Sequence, residues 1–330
     1  MTGRNQKLIT VMTWNAYFGM DVGLLLSATN AAKLLAAYAK MWDQVQSTNI
    51  PERAEKLAEE IARTKPDLVG LQELAQFFTT VMGNTVTRYD FLESIIQALS
   101  KVGHFYVPLA IKNNLDRTAR VDAAGSLVRI LDRDAVLLRI DQPTRSRVRP
   151  LSVRSEAFST LFQLSNALVG PIAVPRSWIA VDAMVGEGKF RLIETHLESL
   201  SPTVQMEQAR ELLAGPARVE LPVIMVGDFN SNPDTNEPPG AAATYGELIA
   251  AGFEDVWTTL KANTPGVTCC QQPDLLNTTS ELHTRIDLVL IRGGLKPIEV
   301  NLVGEQLGDR TPSGLWPSDH AGVVATLLLP

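Results

Sequence analysis

The run LPVIMVGDFN at 221–230 turns from wholly apolar to polar within two positions. Val223 to Val226 reads as the inside of a sheet. Gly227, Asp228, Phe229, Asn230 and Ser231 then read either as an ordinary turn or as the end of a rigid post holding Asp228 and Asn230 over a reaction centre. Runs of this kind recur and constrain the fold. LITVMTW (8–14) leads to Asn15, DLVGLQE (67–73) ends in Glu73, and RDAVLLRI (133–140) is apolar between charged ends. WIAVDAMV (178–185) and KFRLIETHL (189–197), separated by a GEG turn, predict a hairpin. RIDLVLIR (285–292) and HAGVVATLLL (320–329) follow.

Strands of this apolarity need cover, and the intervening segments supply it. Pro51 opens PERAEKLAEEIART, whose apolar positions Ala54, Leu57, Ala58 and Ile61 share one helical face. YDFLESIIQALSKV (89–102) and VQMEQARELLAG (204–215) are also amphipathic. Strands alternate with helices, with no long flexible linker, short repeat or low-complexity tract, so a single α/β domain spanning 1–330 is predicted. Two segments stand out as possible specificity insertions: 21–49, and 151–177, which reads as an insertion or a long hairpin arm.

Composition narrows the class. Hydrophobic residues make up 45% and charged residues 20%, the balance of a globular protein with a core. A net charge of −6 and a pI near 5.4 argue against a dedicated binder of long nucleic acid, without excluding a local basic cleft. The two cysteines, Cys269 and Cys270, are adjacent and cannot build a disulfide framework; they read as structural or free thiols. MTGRNQKLITVMTWN lacks a secretory apolar core, and 22–42 reads as a helix with an apolar face, not a membrane span. A cytoplasmic location and export with a leader removed both stay open, and no obligate protein partner is evident.

The strand ends carry the functional signal. Asn15, Glu73, His196, Asp228 with Asn230, Asp287, and Asp319 with His320 lie at the margins of strand-like runs. Each alone passes for a turn residue, a helix-start acid or a core histidine. Together, and in this order, TWN, LQE, THL, GDFN, RID and SDH resemble the endonuclease/exonuclease/phosphatase (DNase I-like) superfamily, over residues 10 to 328. The resemblance implies a four-layer α/β/β/α sandwich of two mainly antiparallel sheets, with the site where strand ends of both sheets meet.

It also implies roles. Hydrolysis of a phosphoester needs a positioned water, stabilised phosphoryl oxygens and a leaving group spared a bare charge. Glu73 is the expected principal ligand of Mg²⁺, with Mn²⁺ as an alternative, and Asn15 and Asp319 complete or orient that shell. Asp228 would hold or deprotonate the attacking water, with Asn230 donating to the same water or to phosphate. Asp287 would fix His320, and their pairing favours an imidazolium. His196 would bind phosphate or protonate the leaving oxygen. Whether Asp228 or His320 is the base stays open.

Substrate is the thinner inference. LHTRIDLVL lacks the PAWC part of the inositol 5-phosphatase signature, which lowers a phosphoinositide reading, and His196 leans away from abasic-site endonucleases. The segment after Asn15, with Leu24, Leu25, Leu26, Leu34, Leu35, Met41 and Trp42, either packs on the sheet or walls the site for an apolar substrate. The leading expectation is a phosphodiesterase on a small-molecule or lipid-like substrate. The alternatives are a DNase I-like endonuclease acting on DNA or RNA, and a catalytically inactive binding module, against which the complete polar set argues.

Overall fold

Strands outnumber helices along the chain in a computed structural model that describes residues 7–142, 147–166, 168, 170–235 and 240–330. β1 (Leu8–Asn15) is followed by α1 (Gly23–Leu26), α2 (Ala31–Ser47), α3 (Ile50–Thr64) and β2 (Leu68–Gln72). Then come β3 (Gln76–Val81), β4 (Asn84–Asp90), α4 (Phe91–Lys101), β5 (Tyr106–Arg120) and β6 (Leu127–Arg139). The second half runs β7 (Arg149–Ala157), β8 (Phe162–Asn166), β9 (Gly170–Val174), β10 (Ser177–Val185), β11 (Gly188–His196), α5 (Pro202–Ala214) and β12 (Val223–Asp228). It ends with α6 (Ala243–Ala250), β13 (Glu254–Asp255), α7 (Val256–Lys261), β14 (Asp287–Arg292), β15 (Lys296–Val303) and β16 (Gly322–Leu328).

An eight-stranded sheet has the order β15-β16-β1-β2-β6-β3-β4, with β5 also on β6; a six-stranded sheet has the order β13-β14-β12-β11-β10-β7. Period-two alternation divides the central strands β1 and β12 between two cores. Ile9 and Val11 of β1 meet Ile224 and Val226 of β12 between the sheets. Met12 and Trp14 face outward onto α3 and α4, against Leu57, Ile61 and Ile95. Val223 and Met225 face outward onto α5 and α6, against Leu212 and Leu248. β1 and β12 are thus covered on both sides, which is why each reads as a continuous apolar run. The result is the α/β/β/α sandwich.

Among the described residues, the paired strands are antiparallel except β1 with β2 and β11 with β12. A parallel pair needs a crossover, which α1–α3 supply in one sheet and α5 in the other. Parallel pairing also sets two C-terminal strand ends side by side. These ends carry Asn15 with Gln72 in one sheet, and His196 with Asp228 in the other.

Several expectations are modified. The segment 151–177 is not one arm: β7 is the edge strand of the six-stranded sheet, and only β8–β9 forms a separate hairpin. Positions 167 and 169 of that segment, and residues 1–6 of the leader reading, lie outside the described residues. Cys269 and Cys270 are not free thiols but are joined to each other in a disulfide. Their segment is held by backbone hydrogen bonds from Cys269 to Thr284 and from Gln271 to Asp319, which keep the two side chains together. Among the described residues no helix is long and apolar enough to cross a membrane.

Candidate active site

The six-stranded sheet lines up three of the expected residues by register alone. His196 of β11 pairs with Asp228 of β12, and Asp228 pairs with Asp287 of β14. Gly227 makes this row possible. Its φ of 153° lies outside what a side chain tolerates, and a Cβ there would overlap the Thr195 carbonyl oxygen. The facing sheet contributes Asn15, next to Gln72 and hence to Glu73. The SDH segment, which leads into β16, is tied to the end of its neighbour β1: the Ser318 hydroxyl donates to the Asn15 carbonyl at 2.6 Å, and the Trp14 indole donates to the His320 carbonyl at 2.9 Å.

The side chains converge on one atom. Asp228 Oδ2 accepts from Asn15 Nδ2 at 3.1 Å and lies 3.5 Å from His196 Nε2 and 4.0 Å from His320 Nε2. His320 Nδ1 sits 2.8 Å from Asp287 Oδ2. Burial alone would discharge His320, but the carboxylates of Asp287, Asp319 and Asp228 outweigh it and hold the imidazole well above its ordinary value. Asp228 is pushed up to about 6, by burial first and then by Asp287. Burial, with Arg176 and His320 alongside, drives His196 well below the usual histidine range.

Glu73 takes a left-handed backbone, φ 59°, as Tyr17 does at 58°. Such conformations cost about 1–3 kcal/mol each and gather at functional sites. The Glu73 carboxylate is gripped at both ends: Oε1 accepts from Asn15 Nδ2 at 3.1 Å and Oε2 from the Phe18 N–H at 3.1 Å. Burial, then the carboxyls of Asp319 and Asp132, push it up to about 8. Crowded carboxyls that resist ionisation fit a hard divalent cation, and the oxygen donor set suits Mg²⁺ or Mn²⁺. Asn15 points its amide N–H groups at Glu73 and Asp228, while its Oδ1 accepts from the Tyr17 N–H at 3.0 Å; it is placed to orient the carboxylates. Asp228, Asp287 and His320 also offer ligand atoms within 4.8 Å of one another, although His320 Nδ1 is already engaged by Asp287.

Asn230 departs from the expected geometry. β12 ends at Asp228 and Asn230 is left-handed, φ 51°, so the two do not project from one extended segment. Asn230 instead steadies its neighbours: its N–H donates to Asp228 Oδ1 at 2.9 Å and its Nδ2 to the Leu197 carbonyl at 3.0 Å. Arg285 does not pair with Asp287; its guanidinium binds Asp234 and Asp255.

Two arginines escaped sequence reasoning. Arg53 on α3 is fully buried and donates to the carbonyls of Thr48, Ala16, Tyr17 and Pro317, tying the exit of β1 to the SDH segment. Arg176 Nη1 lies 3.0 Å from His196 Nδ1. A signal for Arg176 existed: counting back from the GEG turn sets Ser177 opposite His196, with Arg176 just beyond.

Of the segment after Asn15, α2 mainly covers the core. Met41 and Val45 are buried, and Trp42 packs on Phe77 and Tyr89 with ring centroids 5.9 and 6.1 Å away. The α1–α2 elbow is different: Val22 and Leu26 are 44% and 51% exposed, and Leu24, Leu25, Leu34 and Leu35 are half-buried.

A model of the Endonuclease/Exonuclease/phosphatase family matches residues 12–320. Among solved structures, a D. rerio TDP2 humanised by 14 mutations is 20% identical, with a TM-score of 0.55 over 97% of this chain and 99% of the other. An endonuclease/exonuclease/phosphatase family protein from Bacteroides thetaiotaomicron is 15% identical, with a TM-score of 0.59 over 98% of both chains. The mannosyl-6-phosphatase Bt3783 of the same organism is 15% identical, with a TM-score of 0.55 over 97% of this chain and 100% of the other. No curated protein sequence matches the chain.

Proposed function

The chain belongs to the endonuclease/exonuclease/phosphatase family, and from that premise we propose that it is a metal-dependent phosphodiester hydrolase acting on a small-molecule or lipid-like substrate. One arrangement carries the reading. Asp228 Oδ2 stands at the focus of Asn15 Nδ2, His196 Nε2 and His320 Nε2, where a carboxylate can hold a water while N–H groups face the phosphoryl oxygens.

Asp228 is the base in this proposal. Its carboxyl, at about 6, is ionised at neutral pH yet basic enough to accept a proton from the attacking water. Asn230 and Asn15 fix its two oxygens, so the water is presented in line with little reorganisation. His320, kept charged by Asp287, donates to a phosphoryl or leaving oxygen. Glu73 and Asp319 would hold a divalent cation, which when bound neutralises charge on the phosphoryl group.

The apolar elbow supports the substrate class. From Phe18, whose N–H holds Glu73, the chain reaches Leu24 within at most roughly 20 Å. Half-exposed leucines at that reach suit an apolar substituent, and a net charge of −6 is a poor footprint for a long polyanion.

A panel of bis-aryl phosphate, aryl monophosphate, sphingomyelin and supercoiled plasmid, with and without Mg²⁺, tests the proposal. Hydrolysis of the diesters or the lipid that EDTA abolishes and Mg²⁺ or Mn²⁺ restores is expected. Plasmid nicking as the dominant activity would favour a nuclease, and activity indifferent to exhaustive EDTA would remove the metal. Leu24→Ser with Leu26→Ser should lower lipid turnover relative to plasmid nicking; an unchanged ratio would discard the elbow as a substrate wall.

A further inference from the structure

The chain has four histidines, and their Nδ1 atoms meet two kinds of partner. Three face acceptors: His104 Nδ1 lies 3.0 Å from Asp141 Oδ2, His283 Nδ1 2.9 Å from the Glu281 carbonyl, and His320 Nδ1 2.8 Å from Asp287 Oδ2. The fourth faces a donor: His196 Nδ1 lies 3.0 Å from Arg176 Nη1. A guanidinium carries N–H donors and no acceptor, so the hydrogen bond exists only if Nδ1 offers a lone pair. An imidazole with Nδ1 as acceptor carries its proton on Nε2, the nitrogen that faces Asp228 Oδ2 at 3.5 Å.

We propose that Arg176 is a positioning residue that locks His196 as the neutral Nε2–H tautomer, making it a fixed hydrogen-bond donor to a phosphoryl oxygen and not the acid that protonates the leaving group. The tautomer follows from the donor–acceptor geometry alone. Its role toward a phosphoryl oxygen rests on the phosphoesterase reading.

The fold holds Arg176 for this task. Ser177, the next residue, pairs with His196 across the β10–β11 hairpin and is buried. The Ser177 carbonyl accepts from the Thr195 hydroxyl at 3.0 Å, and its own hydroxyl donates to Asp134 Oδ2 at 3.3 Å. The Arg176 carbonyl accepts from the Phe158 N–H at 3.0 Å. The guanidinium lies in the field of two buried carboxyls, Asp132 and Asp134. A cation against Nδ1 also opposes protonation of the ring.

The two active-site imidazoles therefore divide the work. His320, with a carboxylate at Nδ1, holds a transferable proton on Nε2. His196, with a guanidinium at Nδ1, can donate a hydrogen bond through Nε2 but would become an imidazolate if it gave the proton away. Opposite partners on two rings facing one oxygen separate donor from acid.

Long-range ¹H–¹⁵N NMR of the full-length, ¹⁵N-histidine-labelled protein tests this directly, with His196 assigned from its disappearance in His196→Asn. The expected spectrum shows His196 as the Nε2–H tautomer, with Nδ1 unprotonated, while the other three histidines protonate Nδ1. Arg176→Met should bring Nδ1–H into the His196 population and lower kcat on the hydrolysed substrate by about 10–100-fold, and Arg176→Lys should restore part of both. An Nδ1–H or doubly protonated His196 in the wild-type protein overturns the proposal, as does an unchanged His196 tautomer in folded Arg176→Met. The wild-type spectrum decides the matter even if that variant fails to fold. It also does so without turnover, so a substrate panel with no activity would remove the phosphoesterase reading and leave the tautomer standing.

Discussion

At the scale of single residues, the site consists of side chains whose second atoms are fixed. Asp228 has one oxygen on the Asn230 N–H and the other on Asn15, and His320 has one nitrogen on Asp287. We expect Asp228→Asn and His320→Ala each to lower kcat by about 10²–10⁴-fold, the usual range for a lost acid or base, with the circular dichroism spectrum unchanged. Near-wild-type turnover in either folded variant would remove that residue from the mechanism. The pH profile follows from the same groups. In the proposed mechanism Asp228 would work ionised, so kcat/KM should fall as pH drops through about 6, and His320 would work charged, so an alkaline limb should lie well above the ordinary histidine range. These residues were legible in the sequence because each ends or adjoins an apolar run. Arg53 was not, since a buried arginine on an amphipathic helix looks like one more exposed charge. It serves four carbonyls from a fully buried position, so Arg53→Met should lower stability by at least about 3 kcal/mol in urea melts. A loss under 1 kcal/mol would show that those carbonyls find other donors.

At the scale of elements, the site belongs to the two parallel strand pairs. Among the described residues the other strand pairs are antiparallel, but β1–β2 and β11–β12 bring C-terminal ends together and so deliver Asn15, Glu73, His196 and Asp228 to one edge. The core strands and the three long amphipathic helices could be read from periodicity, because burial on one or both faces leaves a clear apolar pattern. The β3–β4 hairpin could not: β4 is exposed along most of its length, and NTVTRYD carries no core signal. Arg176 needed the register of β10 on β11, which strand prediction supplies only when residues are counted back from the turn. The orientation of Asn230 is not legible either, because the chain leaves its extended course after Asp228 and turns left-handed. Gly227 is the pivot of this element. Gly227→Ala sets a methyl group against the Thr195 carbonyl and imposes a forbidden φ, so it should destabilise by on the order of 3–5 kcal/mol and separate His196 from Asp228. A variant within 1 kcal/mol of wild type would mean that β11 and β12 can part without loss.

At the scale of the whole molecule, two sheets packed face to face enclose more carboxyl groups than their cations balance. Burial first, and neighbouring carboxyls second, push Glu73 up to about 8 and Asp134 up to about 7; burial pushes Asp67 up to about 6, and Glu194 is raised well above the usual range. For a group whose folded pKa exceeds its unfolded value, the stabilising contribution is complete below the unfolded value and disappears as pH rises through the folded one. His320, also raised, acts in the same direction. His196 acts oppositely, but its penalty begins only as pH falls below the ordinary histidine value of about 6.5. Between pH 6.5 and 9 the contributions therefore align, and the metal-free protein should lose thermal stability as pH rises across that window. In the proposed mechanism a divalent cation would bind the ionised form of Glu73 and Asp319, so Mg²⁺ should raise Tm more at pH 8.5 than at pH 6.5. Differential scanning fluorimetry after EDTA treatment, repeated with added Mg²⁺, measures both effects. A metal-free Tm that stays level or climbs between those pH values would show that the buried carboxyls are already neutralised within the fold, and an equal Mg²⁺ shift at both would place the cation away from Glu73.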